Sequence, residues 1–193
     1  LPKEFIPLWK SKRSLYRGHA LKFLKDRGFD NYDIKKYKIG YCEDGLYQQR
    51  IIIPSHDEHG VLNYFVGRSF MESGMKYKNP NVSKDVVGFD YHIAWSKPIV
   101  LCEGVFDAMT IRRNAIPMFG KKPPKKLLMK IFQKRCEIIY IALDDDAKKE
   151  AYMLGEFFSD FGIDSKVVNL PKDKDPNDLG FDKMSALIEQ TLS

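Results

Sequence analysis

The sequence predicts an α/β fold, in which a parallel sheet flanked by helices follows a smaller α+β subdomain. From residue 98 onward, short apolar runs alternate with helix-length segments, which is the pattern of βαβ units and of a parallel sheet. Before residue 98, two apolar runs are joined by the turn His56-Asp57-Glu58-His59-Gly60, which is typical of an antiparallel hairpin. The two halves are therefore expected to differ in architecture.

In the second half, strands are expected at residues 99–102, 115–119, 137–143 and 165–170, where Ile and Val dominate. Helices are expected at 106–113, 124–134, 147–161 and 181–192. Gly120, Gly162 and Pro171 punctuate this alternation. In the first half, helices are expected at 17–27 and 32–37, and strands at 49–54 and 61–68. We expect a basic α+β subdomain over 1–97, a catalytic domain over 98–180 and a C-terminal helix over 181–193.

Composition limits the class of protein. The 193 residues are 44% hydrophobic and 30% charged, which is typical of a globular chain. No apolar run in the sequence reaches membrane-spanning length, and the start is unlike a signal peptide, so no membrane partner and a cytoplasmic location are expected. Because the sequence lacks an initiator Met, a fragment of a longer protein is expected. Three widely spaced cysteines argue against a disulfide framework and against a Cys-based zinc site, so no zinc is expected in this chain.

The positive charge is concentrated in the first half. Residues 1–97 carry 17 Lys and Arg against 11 Asp and Glu, whereas residues 98–193 carry 15 of each. A basic half beside a neutral half that carries the acidic clusters is typical of a protein that holds nucleic acid and acts on phosphates. A net charge of +6 is equally compatible with ordinary solubility.

Carboxylates follow two of the predicted strands directly. Glu103 and Asp107 come after the strand at 99–102, and Asp144, Asp145 and Asp146 come after the strand at 137–143. The carboxyl ends of parallel strands meet at one sheet edge, where such sheets bind ligands. Crowded carboxylates repel one another unless a cation lies among them, and Mg²⁺ prefers oxygen ligands. Strand alternation would turn Asp144 and Asp146 into the site and Asp145 away. The plainer alternatives are a dipole-compensating Asp107 and an N-cap among the three aspartates.

A third acidic segment follows the last predicted strand and includes Asp173, Asp175 and Asp178. Alone it is an ordinary polar turn, but a parallel sheet would bring it to the same edge as the other two. The lysine-rich run at 121–126 is interpreted as a solvated loop, with contact to nucleic acid as the weaker alternative.

These motifs resemble the catalytic core of DnaG-type primases, bacterial or phage, which is built on a Toprim domain. Residues 103–107 match a Glu-Gly-x-x-x-Asp-like motif, residues 144–146 match an Asp-x-Asp motif, and residues 175–178 resemble a later Asp-Pro-Asp-like element. Upstream, residues 23–28 and 39–41 look like the family's helical entry. Residues 50–54, 67–68 and 76–80 look like its basic subdomain. The chain departs from the family at Asp145, Lys148 and Asn177.

The resemblance implies roles for individual residues. Glu103, Asp144, Asp146 and Asp175 would bind Mg²⁺ or Mn²⁺, and Asp107 would position the first motif within the catalytic set. Template and nucleotide would be held by a further group, namely Arg50, Arg68, Lys76, Tyr77, Lys78, Asn79 and Lys84. Tyr77 could stack on a base or pack on the core instead. Asn177 stands where a second acidic residue is usual, which leaves Asp178 or water to complete a metal site.

The implied activity is template-directed synthesis of short RNA primers on single-stranded DNA from NTPs, a DNA-directed RNA polymerase reaction of DNA replication. A replicative helicase and a zinc-binding module would be partners, in missing regions or in separate chains, within a bacterial cell or a phage-infected host. Two alternatives stay open. One is another Toprim enzyme, such as a metal-dependent nuclease or a topoisomerase-like protein. The other is a non-catalytic module that binds single-stranded nucleic acid.

Overall fold

The computed structural model describes residues 1–72 and 74–191 and divides the chain into two compact units. The first unit is Leu1–Ser83 and the second is Lys84–Ser193. This division differs from the boundary expected after residue 97, because residues 84–97 cluster with the second unit. None of the described helices is long and apolar enough to cross a membrane.

The first unit is an antiparallel sheet with two helices. Its strands are β1 (Ile6–Pro7), β2 (Gly40–Cys42), β3 (Arg50–His56) and β4 (Leu62–Ser69), and its helices are α1 (Leu15–Asp26) and α2 (Asn31–Lys36). The strands pair in the order β1-β2-β3-β4, and the predicted hairpin is confirmed as β3 and β4. Ser14 caps α1 and Asp30 caps α2, each by accepting backbone N–H bonds.

One expectation for the first unit is wrong. Residues 39–41 were expected within a helical entry, but Gly40 and Tyr41 lie in β2, between β1 and β3. Gly40 permits this pairing, because a Cβ atom there would stand 2.2 Å from the Phe5 ring and 2.6 Å from the Ile6 carbonyl oxygen. The strand is short and flanked by polar turns, so no hydrophobic period marks it in the sequence.

The second unit is a parallel α/β layer. Its strands are β5 (Ile99–Cys102), β6 (Ala115–Pro117), β7 (Ile138–Ile141) and β8 (Asp164–Val167), in the spatial order β6-β5-β7-β8. Its helices are α3 (Val105–Ile111), α4 (Lys125–Gln133), α5 (Lys148–Asp160) and α6 (Pro176–Gln190). Single 3₁₀ turns lie at Asp90–His92 and Asp145–Ala147. The predicted parallel sheet and flanking helices are therefore confirmed.

The two central strands carry the core and align the site. Ile99 pairs with Ile139 and Leu101 with Ile141, and all four side chains are fully buried. The Ala142 N–H continues the ladder with a bond to the Leu101 carbonyl oxygen at 2.9 Å. The segments that follow β5 and β7 therefore leave the sheet at the same level and at the same edge.

The segment before β5 joins the second unit through a buried ion pair. Lys130 of α4 places its Nζ 2.5 Å from Asp90 Oδ2, and Trp95 Nε1 donates to Asp90 Oδ1 at 2.9 Å. The Asp90 side chain is only 4% exposed. Gly88 lies so close to Pro117 that an added Cβ would stand 2.2 Å from its carbonyl oxygen. These contacts explain why residues 84–97 belong to the second unit. The backbone of this segment is irregular, so its sequence has no hydrophobic periodicity that would have predicted its place.

The last helix begins earlier than expected and covers α3. Asp175 is its N-cap, Pro176 occupies its first turn, and Gly180, with φ +77°, kinks it. α6 packs along α3, whose seven residues are all buried. Leu192, the predicted end of this helix, lies outside the described residues.

Candidate metal centre

The first acidic motif is fixed by a backbone contact. β5 ends at Cys102, Glu103 follows it, and Gly104 precedes α3. The Gly104 N–H donates to Asp107 Oδ2 at 2.9 Å. Asp107 therefore pairs a backbone N–H at the N-terminus of α3, where the N–H groups have no partner within the helix. Asp107 is 8% exposed, and its carboxylate is therefore a buried brace for the turn that carries Glu103.

The second motif is delivered by a 3₁₀ turn rather than by strand alternation. β7 ends at Ile141, and the Ala147 N–H donates to the Asp144 carbonyl oxygen at 2.8 Å. Asp145 forms an ion pair with Lys148 and accepts from the Asp173 N–H at 3.0 Å. The expected grouping of Asp144 with Asp146, apart from Asp145, is thus present, but the turn produces it.

The two motifs meet at one edge of the sheet. The Asp144 N–H donates to Glu103 Oε1 at 3.3 Å. Ligand atoms of Glu103, Asp144 and Asp146 all lie within 4.8 Å of one another. Asp144 Oδ1 is buried and has no hydrogen-bond partner within residues 1–72 and 74–191. Three carboxylates with one orphaned buried oxygen form a donor set that fits a hard divalent cation.

Crowding and burial perturb these carboxyl groups. Burial, reinforced by the charge of Asp144, raises the pKa of Glu103 to about 7 and that of Asp107 to about 8. Burial, reinforced by the charges of Asp175 and Asp146, raises the pKa of Asp144 to about 6. Like charges held together in a partly desolvated cleft oppose ionisation, and a bound cation would relieve that cost.

The third acidic segment reaches the same edge without joining the closest group. Asp175 accepts from the Asp178 N–H at 2.6 Å as the cap of α6. Its charge adds to the effect of burial in raising the pKa values of Asp107 and Asp144, so Asp175 lies within electrostatic range of both motifs. Within the part of the chain that the structure describes, however, the three-carboxylate group does not include it. Binding of metal by Asp175 therefore stays a prediction.

Asn177, where the family pattern has an acidic residue, makes a structural contact. Its Nδ2 donates to Thr110 Oγ1 at 2.8 Å and so fastens α6 to α3. Asp178 is exposed and contributes its N–H to the cap.

Sequence reasoning missed Lys121. The loop after β6 places Lys121 Nζ 3.0 Å from Asp146 Oδ2, with 38% of the lysine side chain exposed. This loop is tied to the end of β5, because the Gly120 N–H donates to the Glu103 carbonyl oxygen at 3.2 Å. A usable signal was available. The loop follows a parallel strand, so its first residues must emerge at the acidic edge.

The predicted template-binding residues of the first unit gather along β4. The segment at 76–79 runs beside β4 through bonds from the Ser69 N–H to the Lys76 carbonyl oxygen at 3.0 Å and from the Lys78 N–H to the Gly67 carbonyl oxygen at 2.8 Å. Asn79 Oδ1 accepts from the Gly67 N–H at 3.4 Å. Lys76 is exposed, whereas Lys78 and Asn79 are half-buried.

Two arginines of this group differ in environment. Arg50 is 8% exposed, and its guanidinium donates to the backbone carbonyl oxygens of Met75 and Lys76 at 3.0 and 3.3 Å. Arg50 thus supports the segment, and its contact with nucleic acid stays a prediction. Arg68 lies over the ring of Tyr77, with 4.5 Å from Cζ to the ring centroid. Tyr77 is 48% exposed, so it is not a core residue.

Lys84 belongs to the second unit, not to the segment beside β4. Its Nζ lies 3.5 Å from the carbonyl oxygen of Phe119, at the start of the loop that carries Lys121. The structure therefore places Lys84 close to the acidic edge of the parallel sheet.

Comparison with known proteins agrees with this architecture. Residues 100–180 match the family model described as Toprim-like. A DNA primase of Clostridium acetobutylicum is 24% identical over 201 residues, which cover 90% of this chain and 33% of the primase. The chain spans about a third of the length of the curated relatives it matches.

Two solved structures share the fold. The zinc-binding and RNA polymerase domains of the Aquifex aeolicus primase give a TM-score of 0.76 at 19% identity, over 93% of this chain and 56% of that one. A DnaG primase catalytic domain bound to ssDNA gives 0.77 at 18% identity, over 94% and 76%. Residues 100–180 therefore resemble a Toprim-like domain in sequence, and the chain has the fold of a DnaG primase catalytic core.

Proposed function

We propose that this chain is the catalytic core of a DNA primase, which joins NTPs into short RNA on a single-stranded DNA template. The observation that carries the proposal is the group of Glu103, Asp144 and Asp146 at the carboxyl edge of a Toprim-like sheet, with one buried oxygen of Asp144 left unpaired. The primases named among its relatives support the same activity.

Mg²⁺ or Mn²⁺ would be held by Glu103, Asp144 and Asp146, with Asp175 as a further candidate ligand. When bound, the metal would orient the attacking 3′-hydroxyl and neutralise charge on the phosphates. The protein's own part is positional. Asp107 holds the turn that carries Glu103, and the 3₁₀ turn holds Asp144 and Asp146 at the same edge.

Binding of template and nucleotide is assigned to the basic residues along β4 and to Lys84. Lys76 and Tyr77 are the exposed members of the first unit's set, so they would contact phosphate and base respectively. Arg68 and Lys78 would add positive charge beside them. One solved relative, a DnaG primase catalytic domain, is bound to ssDNA, which supports the same ligand for this chain.

The wider setting follows from the same proposal. A primase core works in DNA replication in the cytoplasm of a bacterium or of a phage-infected cell. It would act with a replicative helicase and a zinc-binding module, and one solved relative contains zinc-binding and RNA polymerase domains together.

The test is an RNA synthesis assay with single-stranded DNA, labelled NTPs and Mg²⁺ or Mn²⁺, read on a denaturing gel. Asp144→Ala should abolish product while leaving affinity for the template within about two-fold. Asp164→Ala is the matched control, because Asp164 begins β8 at the opposite, amino edge of the same sheet. Product from Asp144→Ala would contradict the metal assignment.

The same assay separates the two alternatives. Cleavage of the DNA without NTP incorporation would favour a Toprim nuclease. Template binding with neither incorporation nor cleavage would favour a non-catalytic binding module.

A further inference from the structure

The loop after β6 supplies a cation to the acidic edge. Lys121 Nζ lies 3.0 Å from Asp146 Oδ2, and the loop is anchored by hydrogen bonds from Met118 and Gly120 to the carbonyl oxygens of Cys102 and Glu103, at 2.9 and 3.2 Å. The backbone of the loop is therefore fixed to the first acidic motif. The long side chain of Lys121 extends from it to Asp146 in the second motif.

The charge of Lys121 is felt by the whole three-carboxylate group. Its Nζ contacts Asp146, whose ligand oxygen lies within 4.8 Å of those of Glu103 and Asp144, so its positive charge stands close to all three carboxylates. Asp146 is 76% exposed, whereas the unpaired oxygen of Asp144 is buried. Lys121 thus contacts the exposed member of the group, whereas the unpaired oxygen belongs to a half-buried member, Asp144.

An ammonium in this position competes with a divalent cation for the same carboxylates. Like charges at such distances repel, so occupancy of the group by a metal weakens the attraction of Lys121 to Asp146. An ammonium is a compact charge with three donors on a flexible stem, which suits it to phosphate oxygens. Phosphates bridge to metals of this kind, so they would lie within reach of a displaced Lys121.

We propose that Lys121 is a tethered counter-cation, which neutralises the three-carboxylate group without metal and binds the β- and γ-phosphates of the incoming nucleotide once metal is present. This inference rests on the proposed function, since it concerns the nucleotide at the same site. Lys84, whose Nζ lies 3.5 Å from the Phe119 carbonyl oxygen of the same loop, adds a second positive charge nearby.

The test begins with Mn²⁺ binding to the full chain, measured by electron paramagnetic resonance without nucleotide or template. Lys121→Met should bind Mn²⁺ more tightly, by up to about five-fold at low salt, since that is the range that loss of an exposed ion pair predicts. The difference should shrink as salt is added. Lys122→Met is the matched control, because Lys122 is the exposed neighbour in the same loop, and it should bind Mn²⁺ like the unchanged chain.

The second measurement is nucleotide affinity at saturating Mn²⁺. Lys121→Met should weaken the binding of ATP several-fold. It should leave the affinity for AMP unchanged, because AMP lacks the β- and γ-phosphates. Lys121→Arg should restore part of the lost ATP affinity. Lys121→Gln repeats each measurement should the methionine variant fold poorly, as judged by circular dichroism.

Three results would overturn the proposal. They are an Mn²⁺ affinity that Lys121→Met does not raise, an equal loss of ATP affinity in Lys122→Met, and a chain that binds no Mn²⁺. Failure of the proposed RNA synthesis can be distinguished from failure of the role proposed for Lys121. A chain that makes no RNA but shows the Mn²⁺ and ATP shifts would reject RNA synthesis and retain the role of Lys121.

Discussion

Asp107→Asn is expected to change the way in which the stability of the metal-free protein depends on pH. Burial and the neighbouring carboxylates raise the pKa of Asp107 to about 8 in the folded chain, whereas an aspartate in an unfolded chain has a pKa near about 4. The folded chain therefore retains a proton that the unfolded chain releases. The stability that this proton provides is present at low pH and is lost as the pH rises from about 4 through about 8.

The size of the effect follows from one proton. An asparagine can still accept the hydrogen bond from the Gly104 N–H, but it does not titrate. One proton taken up on folding changes the free energy of unfolding by about 1.4 kcal/mol per pH unit. The variant should therefore gain stability relative to the unchanged chain by about 1 kcal/mol per unit between pH 5 and pH 7.

The assay is urea denaturation in EDTA at pH 5, 6 and 7, followed by circular dichroism. Equal slopes of unfolding free energy against urea in the two proteins would show that the comparison is sound. A stability difference that stays constant from pH 5 to pH 7 would refute the reasoning, because it would mean that Asp107 does not hold its proton in the folded chain.

Three other perturbations test separate parts of the structure. Lys130→Met should lower the free energy of unfolding by about 3–5 kcal/mol in urea titrations, because it leaves the buried Asp90 without its ion-pair partner. Adding Asp90→Leu should recover most of that loss. A loss that the second change does not reduce would count against the ion pair. Gly67→Ala should cost about 1–3 kcal/mol by the same measurement, because its Cβ would stand 2.3 Å from the Lys78 carbonyl oxygen, and a neutral result would mean that the segment beside β4 moves freely. Saturating Mn²⁺ should raise the melting temperature of the unchanged chain but not that of Asp144→Ala, and an equal rise in both would place the ion elsewhere.

The parallel sheet was predictable because its strands are uninterrupted apolar runs. Residues 99–102 read as a buried strand and form β5 with the same bounds, and the run at 137–143 contains β7. β1 and β2 were not predictable, because two- and three-residue strands fix no period and depend on the close approach that Gly40 allows. Residues 84–97 likewise show no hydrophobic periodicity in the sequence. Their place depends on single contacts such as that between Asp90 and Lys130.

The acidic site was predictable from topology, since strand ends in a parallel sheet converge. The meeting of Glu103 with the aspartates at 144–146 follows from that rule. The 3₁₀ turn that orients Asp144 depends on local backbone bonds, which the sequence Asp-Asp-Asp does not specify. Lys121 was missed because a lysine-rich run is usually solvated, and only the contact with Asp146 distinguishes it from its neighbours.

The complete burial of α3 ties the chemistry of the site to the end of the chain. A helix of seven residues is too short to be stable alone, so α3 keeps its shape only while the sheet and α6 enclose it. The bond from Asn177 to Thr110 fastens that cover at the helix carrying Asp107. Amide protons of α3 and α6 should therefore exchange with solvent as one cooperative unit. Local unfolding of α6 would also release the turn that carries Glu103.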